Sequence, residues 1–285
     1  MSESQANVFT YLLVDNGLLQ EVSAGYEEDD AKRRPVWLEP IYGERALRVS
    51  PLLIDVEAAD ESGDIELAMR YLNARKPALH ASIIESGLNL ADAAQHLRCF
   101  IFILDPEGKQ FTLRFADCAV LGPLSTILTA AQWATLKGPI SRWGIHDRSG
   151  SIVQLSPDEQ DLQVSTPLRL DREQLAALDE ASEPDHFIAK VRMMRQEKSL
   201  PGTAIEQHMW ALKARQIWRL KNNSSSLILE RLTEAALITR GKVLREKNIE
   251  HLLEMNNHEE FQEELSRLYE KSCKSQNAEC EHESQ

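Results

Sequence analysis

Apolar positions along the chain fall into two regimes. From residue 8 to about 156 they cluster in short β-rich runs. "VFTYLLVD" (8–15) reads as a buried strand closed by an Asp15-Asn16-Gly17 turn, and "SPLLIDV" (50–56) and "ALHASIIES" (78–86) read as further strands. Helical spacing appears between them. Asp64 is placed to cap a helix to about Lys76, and Leu90, Ala93, Ala94 and Leu97 mark another within 89–100. "CFIFILD" and "QFTLRFAD" flank the turn "PEGK" (106–109) and predict a hairpin. Two short helices follow in "AVLGPLSTIL" and "TAAQWATL", and a last strand pair folds around Asp147–Gly150.

Beyond "SPDEQDLQVSTP" the strand pattern stops. Asp171 and Gln174 make a capping-box start for a helix to about Glu180. Glu183-Pro184 predicts a fresh start, with Phe187, Ile188, Val191 and Met194 on one face. Thr203 caps a third helix with Ile205, Met209, Leu212 and Leu220 on one side. Leu227 to Arg240 is apolar on several sides, as a central helix would be, and Gly241 ends it. Ile249, Leu252 and Leu253 mark a short helix, and Phe261, Leu265, Leu268 and Tyr269 a last one. The expected fold is α/β (α+β). A mixed sheet with flanking helices forms an N-terminal lobe (1–160), an all-helical lobe follows (161–272), and residues 273–285 form a disordered tail. No internal repeat is visible.

Composition narrows the function classes. The 285 residues are 42% hydrophobic, enough for a large core, and the net charge of −13 argues against nucleic acid as a partner. No apolar run reaches the ~18–20 residues a bilayer requires. The start, "MSESQANVF", lacks a basic and an apolar leader region, so a cytoplasmic location and no membrane partner are expected. Cys99 and Cys118 lie in apolar patterns and read as buried free thiols. Cys273, Cys280 and His282 do not match a compact zinc spacing, and the eight histidines read as solvent-facing. No metal or cofactor is expected.

Chemistry-bearing residues are sparse. There is no G-x-S-x-G and no phosphate-binding glycine loop. Asp15, Asp55, Glu85 and Asp117 fall near strand ends, where they either form a hydrolytic carboxylate pair or serve turns and caps. Between Lys190 and Lys221 eight cations face two glutamates, with Trp210 and Trp218 among them. Trp210, Lys213, Arg215, Trp218 and Arg219 are therefore candidates for a partner surface. The same stretch also reads as a solvated helix face with Trp218 packed against the first lobe.

"LRFADCAVL" (113–121) resembles the R-F-Y-D-P-R-V-L signature of the effector adaptors, or chaperones, of the bacterial type VI secretion system. "YLLVDNGLL" (11–19), the stretch 80–117 and "GPISRWGI" (138–145) resemble other segments of that family in the same order, together spanning about 7–155. Asp15, Arg114, Phe115, Asp117 and Trp143 are the matching signature residues. The chain departs from the signature at Ala116, Cys118 and Ala119, where Tyr, Pro and Arg are usual. The resemblance implies a protein that is not an enzyme. It would bind a cognate effector and help load it onto the valine-glycine repeat spike protein. An immunity-like toxin binder and a hydrolase using strand-end carboxylates are the alternatives. Asp117 is expected to cap the helix after it, with Arg114 holding Asp117 or a neighbouring loop.

Overall fold

A computed structural model describes residues 8–27, 29–30, 34–155, 164–195, 199–255 and 259–268. The expected tail, with Cys273, Cys280 and His282, lies outside these residues, as do His258, Tyr269 and part of the charge run before Pro35. The chain divides into two compact units, Met1–Ala181 and Ser182–Gln285.

The first unit is built on β1 (Phe9–Asp15), which continues directly into α1 (Asn16–Gln20). After β2 (Leu38–Pro40), β3 (Pro51–Asp55) runs in the same way into α2 (Val56–Glu61), followed by α3 (Ile65–Asn73) and β4 (Ala81–Ser86). Then come α4 (Leu90–Arg98), β5 (Phe102–Leu104), β6 (Gln110–Thr112), α5 (Cys118–Ile127), α6 (Ala130–Lys137), β7 (Ile140–His146) and β8 (Ile152–Gln154). The strands β2-β3-β1-β4-β7-β8 form one sheet in which every pairing is antiparallel.

The unbroken apolar runs of β1 and β3 are explained by burial on both faces. Tyr11, Leu13 and Leu53 join a core shared with α4, α5 and α6, whereas Leu12, Val14, Leu52 and Ile54 join a core shared with α1, α2 and α3. Parallel pairing is confined to a second, small sheet, β6-β5-β9, where β9 (Leu168–Arg169) lies parallel to β5. Leu168, Leu170, Leu175 and Leu178 pack into the core with α4–α6, which attaches the chain to the first unit beyond residue 160.

Several local expectations change. The hairpin exists, but each strand is only three residues long, and Leu113 and Phe115 are buried in irregular chain after β6. Asp64 stands at the start of α3 without capping it, because its carboxylate accepts the Trp37 indole N–H at 3.0 Å. Cys99 is exposed, while Cys118 is buried. His80 is buried, and its Nε2 lies 2.7 Å from the Tyr71 carbonyl. Burial lowers the pKa of both His80 and His96.

The second unit is helical. No break occurs at Pro184: α7 runs as one helix from Arg172 to Met194, crossing the division between units. The Asp171–Gln174 capping box forms at its start, with N–H···O distances of 2.8 and 3.1 Å. Ile188 and Val191 are packed in a core past the proline, which holds the turn together although one backbone donor is missing. α8 (Ala204–Leu220) begins with the Thr203–Glu206 capping box, and α9 (Ser226–Ile238) is buried on several sides, as its pattern predicts. α10 (Ile249–Leu252) and a helix over 259–268 close the unit, Phe261 and Leu265 being buried in its core.

α8 turns the opposite way from the one its clearest periodicity suggests. Ile205, Met209 and Leu220 are exposed, whereas Ala211, Ala214, Arg215 and Ile217 are buried.

Candidate functional site

The signature residues meet at the ends of β1 and of the irregular stretch after β6. Asp15 ends β1 and caps α1, its Oδ1 accepting Leu18 N–H at 3.1 Å. Asp117 caps α5, its Oδ1 accepting Ala119 N–H at 2.9 Å, as expected. Asp55 repeats the device at the end of β3, its Oδ1 accepting Ala58 N–H at 3.0 Å. Each aspartate carries its negative charge to the positive end of a helix, where free N–H groups need an acceptor. Glu85, the fourth strand-end carboxylate, instead pairs with Arg142 on the adjacent strand at 2.8 Å. Three of the four thus cap helices and the fourth sits in a cross-strand ion pair.

Arg114 links two of these caps. Its Nη2 donates to Asp15 Oδ2 at 2.9 Å and lies 3.6 Å from Asp117 Oδ2. The stronger contact is thus with a residue 99 positions away rather than with its near neighbour. Burial disfavours the guanidinium charge, and the carboxylates of Asp15, Asp117 and Glu21 together outweigh it, leaving the Arg114 pKa above its ordinary value. The Arg114 side chain is 50% exposed against 7% for Asp15, so one side of the pair faces solvent.

That side opens into a cleft of about 720 Å³ within the first unit. Leu18, Tyr42, Val49, Ile101 and Phe102 supply its apolar lining, and Asp15, Glu21 and Arg114 its charges. Val49 and Phe102 are 59% and 41% exposed, an arrangement suited to covering by another apolar surface. Sequence reasoning missed these two residues; Phe102 sits in the hairpin already singled out, but which of its faces is covered depends on distant chain.

Phe115 and Trp143 belong to the core beneath this corner, fully buried. The Trp143 indole donates to Ser82 Oγ at 3.0 Å and stacks on Trp133 at 6.1 Å. Ala116, where the resembled signature carries Tyr, is also buried. Cys118 donates to the Ala81 carbonyl at 3.1 Å, and burial pushes its thiol up to about 12. A thiol kept protonated near neutral pH is a poor nucleophile.

The candidate partner surface of the second unit is not assembled as expected. Arg215 is buried and ion-paired with Glu183. Trp218 is half-buried in the unit's core, its Nε1 donating to Asn223 Oδ1 and the Ser225 carbonyl. Trp210 is half-buried as well, and a Cβ added at Gly202 or Gly241 would meet its ring at 2.5 or 2.6 Å. Of the five residues, Lys213 and Arg219 are exposed. Within the unit Lys190 is matched by Glu230, Arg195 by Glu234, and Lys221 by Glu250 and Glu254. Among the described residues no group of three or more His, Cys, Asp or Glu side chains could hold a metal ion, and no helix is long and apolar enough to cross a membrane.

Residues 10–135 match the model of a family described as a domain of unknown function, DUF4123. This domain is known in type VI secretion effector adaptors. The DUF4123 segment contains every residue that lines the cleft, and both partners of the Arg114–Asp15 pair. No curated protein and no solved structure matches the chain.

Because Asp117 holds α5 through a local cap, Asp117→Ala is expected to cost about 0.5–2 kcal/mol. Asp117→Asn, which keeps an acceptor, should cost less. Urea denaturation of both variants checks this; equal losses would mean that the charge, not the cap, is what matters.

Proposed function

We propose that the protein is an adaptor that binds a cognate effector in the cytoplasm and promotes its loading onto the type VI spike protein. The observation that carries this reading is the coincidence of the DUF4123 match with the open apolar cleft beside Arg114 and Asp15. Effector segments that are poorly soluble alone would gain by covering Val49 and Phe102, each ~100 Å² of buried apolar surface contributing about 2.5 kcal/mol. The half-exposed Arg114 guanidinium has donors left over from its Asp15 contact and can orient such a segment through a carbonyl oxygen. We propose no catalytic role, in keeping with the caps and ion pair that occupy the strand-end carboxylates.

Deleting the gene is expected to abolish export of one effector while the secretion machine still assembles and exports others. Complementation with Phe102→Asp should fail to restore that effector although the variant accumulates normally. Loss of all export would indicate a structural component instead. Protection of a cell against the toxin, with export unaffected, would indicate an immunity protein.

A further inference from the structure

β6 is an edge of the small sheet β6-β5-β9. The alternation of an antiparallel pair fixes which of its backbone groups face outward. Leu113 N–H donates to the Ile101 carbonyl at 2.8 Å, and Asp105 N–H to the Lys109 carbonyl at 3.0 Å. Between these bonds Ile103 and Phe111 lie opposite each other as the next hydrogen-bonded pair. The N–H and C=O groups of Gln110 and Thr112 therefore point away from β5, and no described residue bonds to them. Edge strands are commonly blunted by proline or charge. The edge strand β2 carries Pro40 and Glu39, the latter ion-paired with Arg98. Gln110, Phe111 and Thr112 offer neither device.

Outward N–H and C=O groups repeating at this spacing are satisfied by another extended backbone. The side chains around the edge say which one. Thr112 lies opposite Phe102, and both line the cleft. Phe111, on the other face, is 39% exposed, with the Lys109 ammonium 4.9 Å from its ring centre. Lys109 forms no ion pair with a described residue. An added strand would turn alternate side chains over Thr112 into the cleft and the others past Phe111 and Lys109. A second copy suits this edge poorly. Its own chain turns into its core at Leu113, so it cannot continue along the cleft past Thr112 toward Arg114.

We propose that an extended segment of the effector joins β6 as a fourth strand of the small sheet, with apolar side chains turned into the cleft and an acid beside Lys109. Backbone bonds to Gln110 and Thr112 hold the segment, and the cleft selects its side chains. Only the identity of the segment as part of an effector rests on the adaptor reading.

The test uses the full chain and a short synthetic peptide in which valine and glutamate alternate. At saturation, hydrogen exchange of the Gln110 and Thr112 amides should slow about tenfold or more, while the Phe111 amide, already bonded to β5, changes less. Methylating the peptide nitrogens at the valines or at the glutamates should abolish binding in one case and spare it in the other, because only one edge of the added strand faces β6. Gln110→Pro removes an outward donor and leaves the Ile103–Phe111 bonds in place. It should weaken binding about tenfold or more, well beyond Gln110→Ala, which keeps the N–H. Lys109→Glu should weaken binding about threefold or more. No binding, unprotected Gln110 and Thr112 amides, or equal binding of the two methylated peptides would overturn the proposal. So would a dimer in sedimentation that Gln110→Pro dissolves, because the added strand would then be a second copy. Binding unchanged by Lys109→Glu would overturn the acidic position. Effector export that survives gene deletion would remove the adaptor reading and leave the peptide result standing. A negative peptide result with export still dependent on the protein would remove only this edge.

Discussion

Replacing Trp143 with alanine is expected to destabilise the first unit by about 3–5 kcal/mol, enough to threaten its folding. The indole is 1% exposed on β7 and lies in the core that joins the sheet to α4, α5 and α6. Its removal leaves a large void, ends the stacking on Trp133, and takes the donor away from Ser82 Oγ, itself on a fully buried residue. Trp143→Phe separates these contributions. It keeps most of the ring volume while removing the indole N–H, and should cost clearly less than the alanine variant. Chemical denaturation followed by far-ultraviolet circular dichroism measures both. A loss below about 1 kcal/mol for Trp143→Ala would mean that the core closes over the gap. Because Trp143 is not among the residues that line the cleft, the proposed adaptor role requires that a folded Trp143→Phe protein still support effector export.

What could be read in advance follows the range of the interactions. Caps are local, so Asp117, Asp171 with Gln174, and Thr203 were legible from neighbouring residues. The buried strands were legible because both faces are covered, which gives β1 and β3 their unbroken apolar runs. The partner of Arg114 was not legible. Asp117 is three residues away in sequence, yet Asp15, brought in by the sheet, makes the shorter contact. The cleft was hidden for the same reason, since its wall combines β1–α1, the β2–β3 connection and the β5–β6 hairpin. α7 shows tertiary packing overriding a local break signal at Pro184.

α8 carries the most instructive reversal. Its cleanest apolar spacing marks the side left open, and three of the five candidates for a partner surface, Trp210, Arg215 and Trp218, are in or beside the core. Periodicity finds an apolar side but cannot choose between two of them. The buried side is filled by small residues, Ala211 and Ala214, that weigh little in a hydrophobic pattern but allow close helix approach. Local charge counting fails similarly, because the acids that neutralise Lys190, Arg195, Arg215 and Lys221 lie outside α8, on α7, α9 and in the stretch around α10.

Arg215→Glu therefore should act as a folding variant rather than a binding variant. Arg215 is 4% exposed at its side chain and ion-paired with Glu183, so the substitution places a second carboxylate against the first. A fully enclosed pair broken in this way costs about 3–5 kcal/mol. Glu183 keeps 34% of its side chain in water, which screens the repulsion and lowers the expected loss to about 2–4 kcal/mol. Arg215→Met fills much of the same volume and frees Glu183 toward solvent, so it should cost less than the glutamate variant. Lys213→Glu, the same charge reversal two positions earlier on an exposed side chain, should stay within about 0.5 kcal/mol of wild type. Urea denaturation of the three variants gives the comparison. If Arg215→Glu unfolds at the wild-type midpoint, the Arg215–Glu183 pair is not part of the stable fold, and Arg215 returns to the set of residues available to a partner.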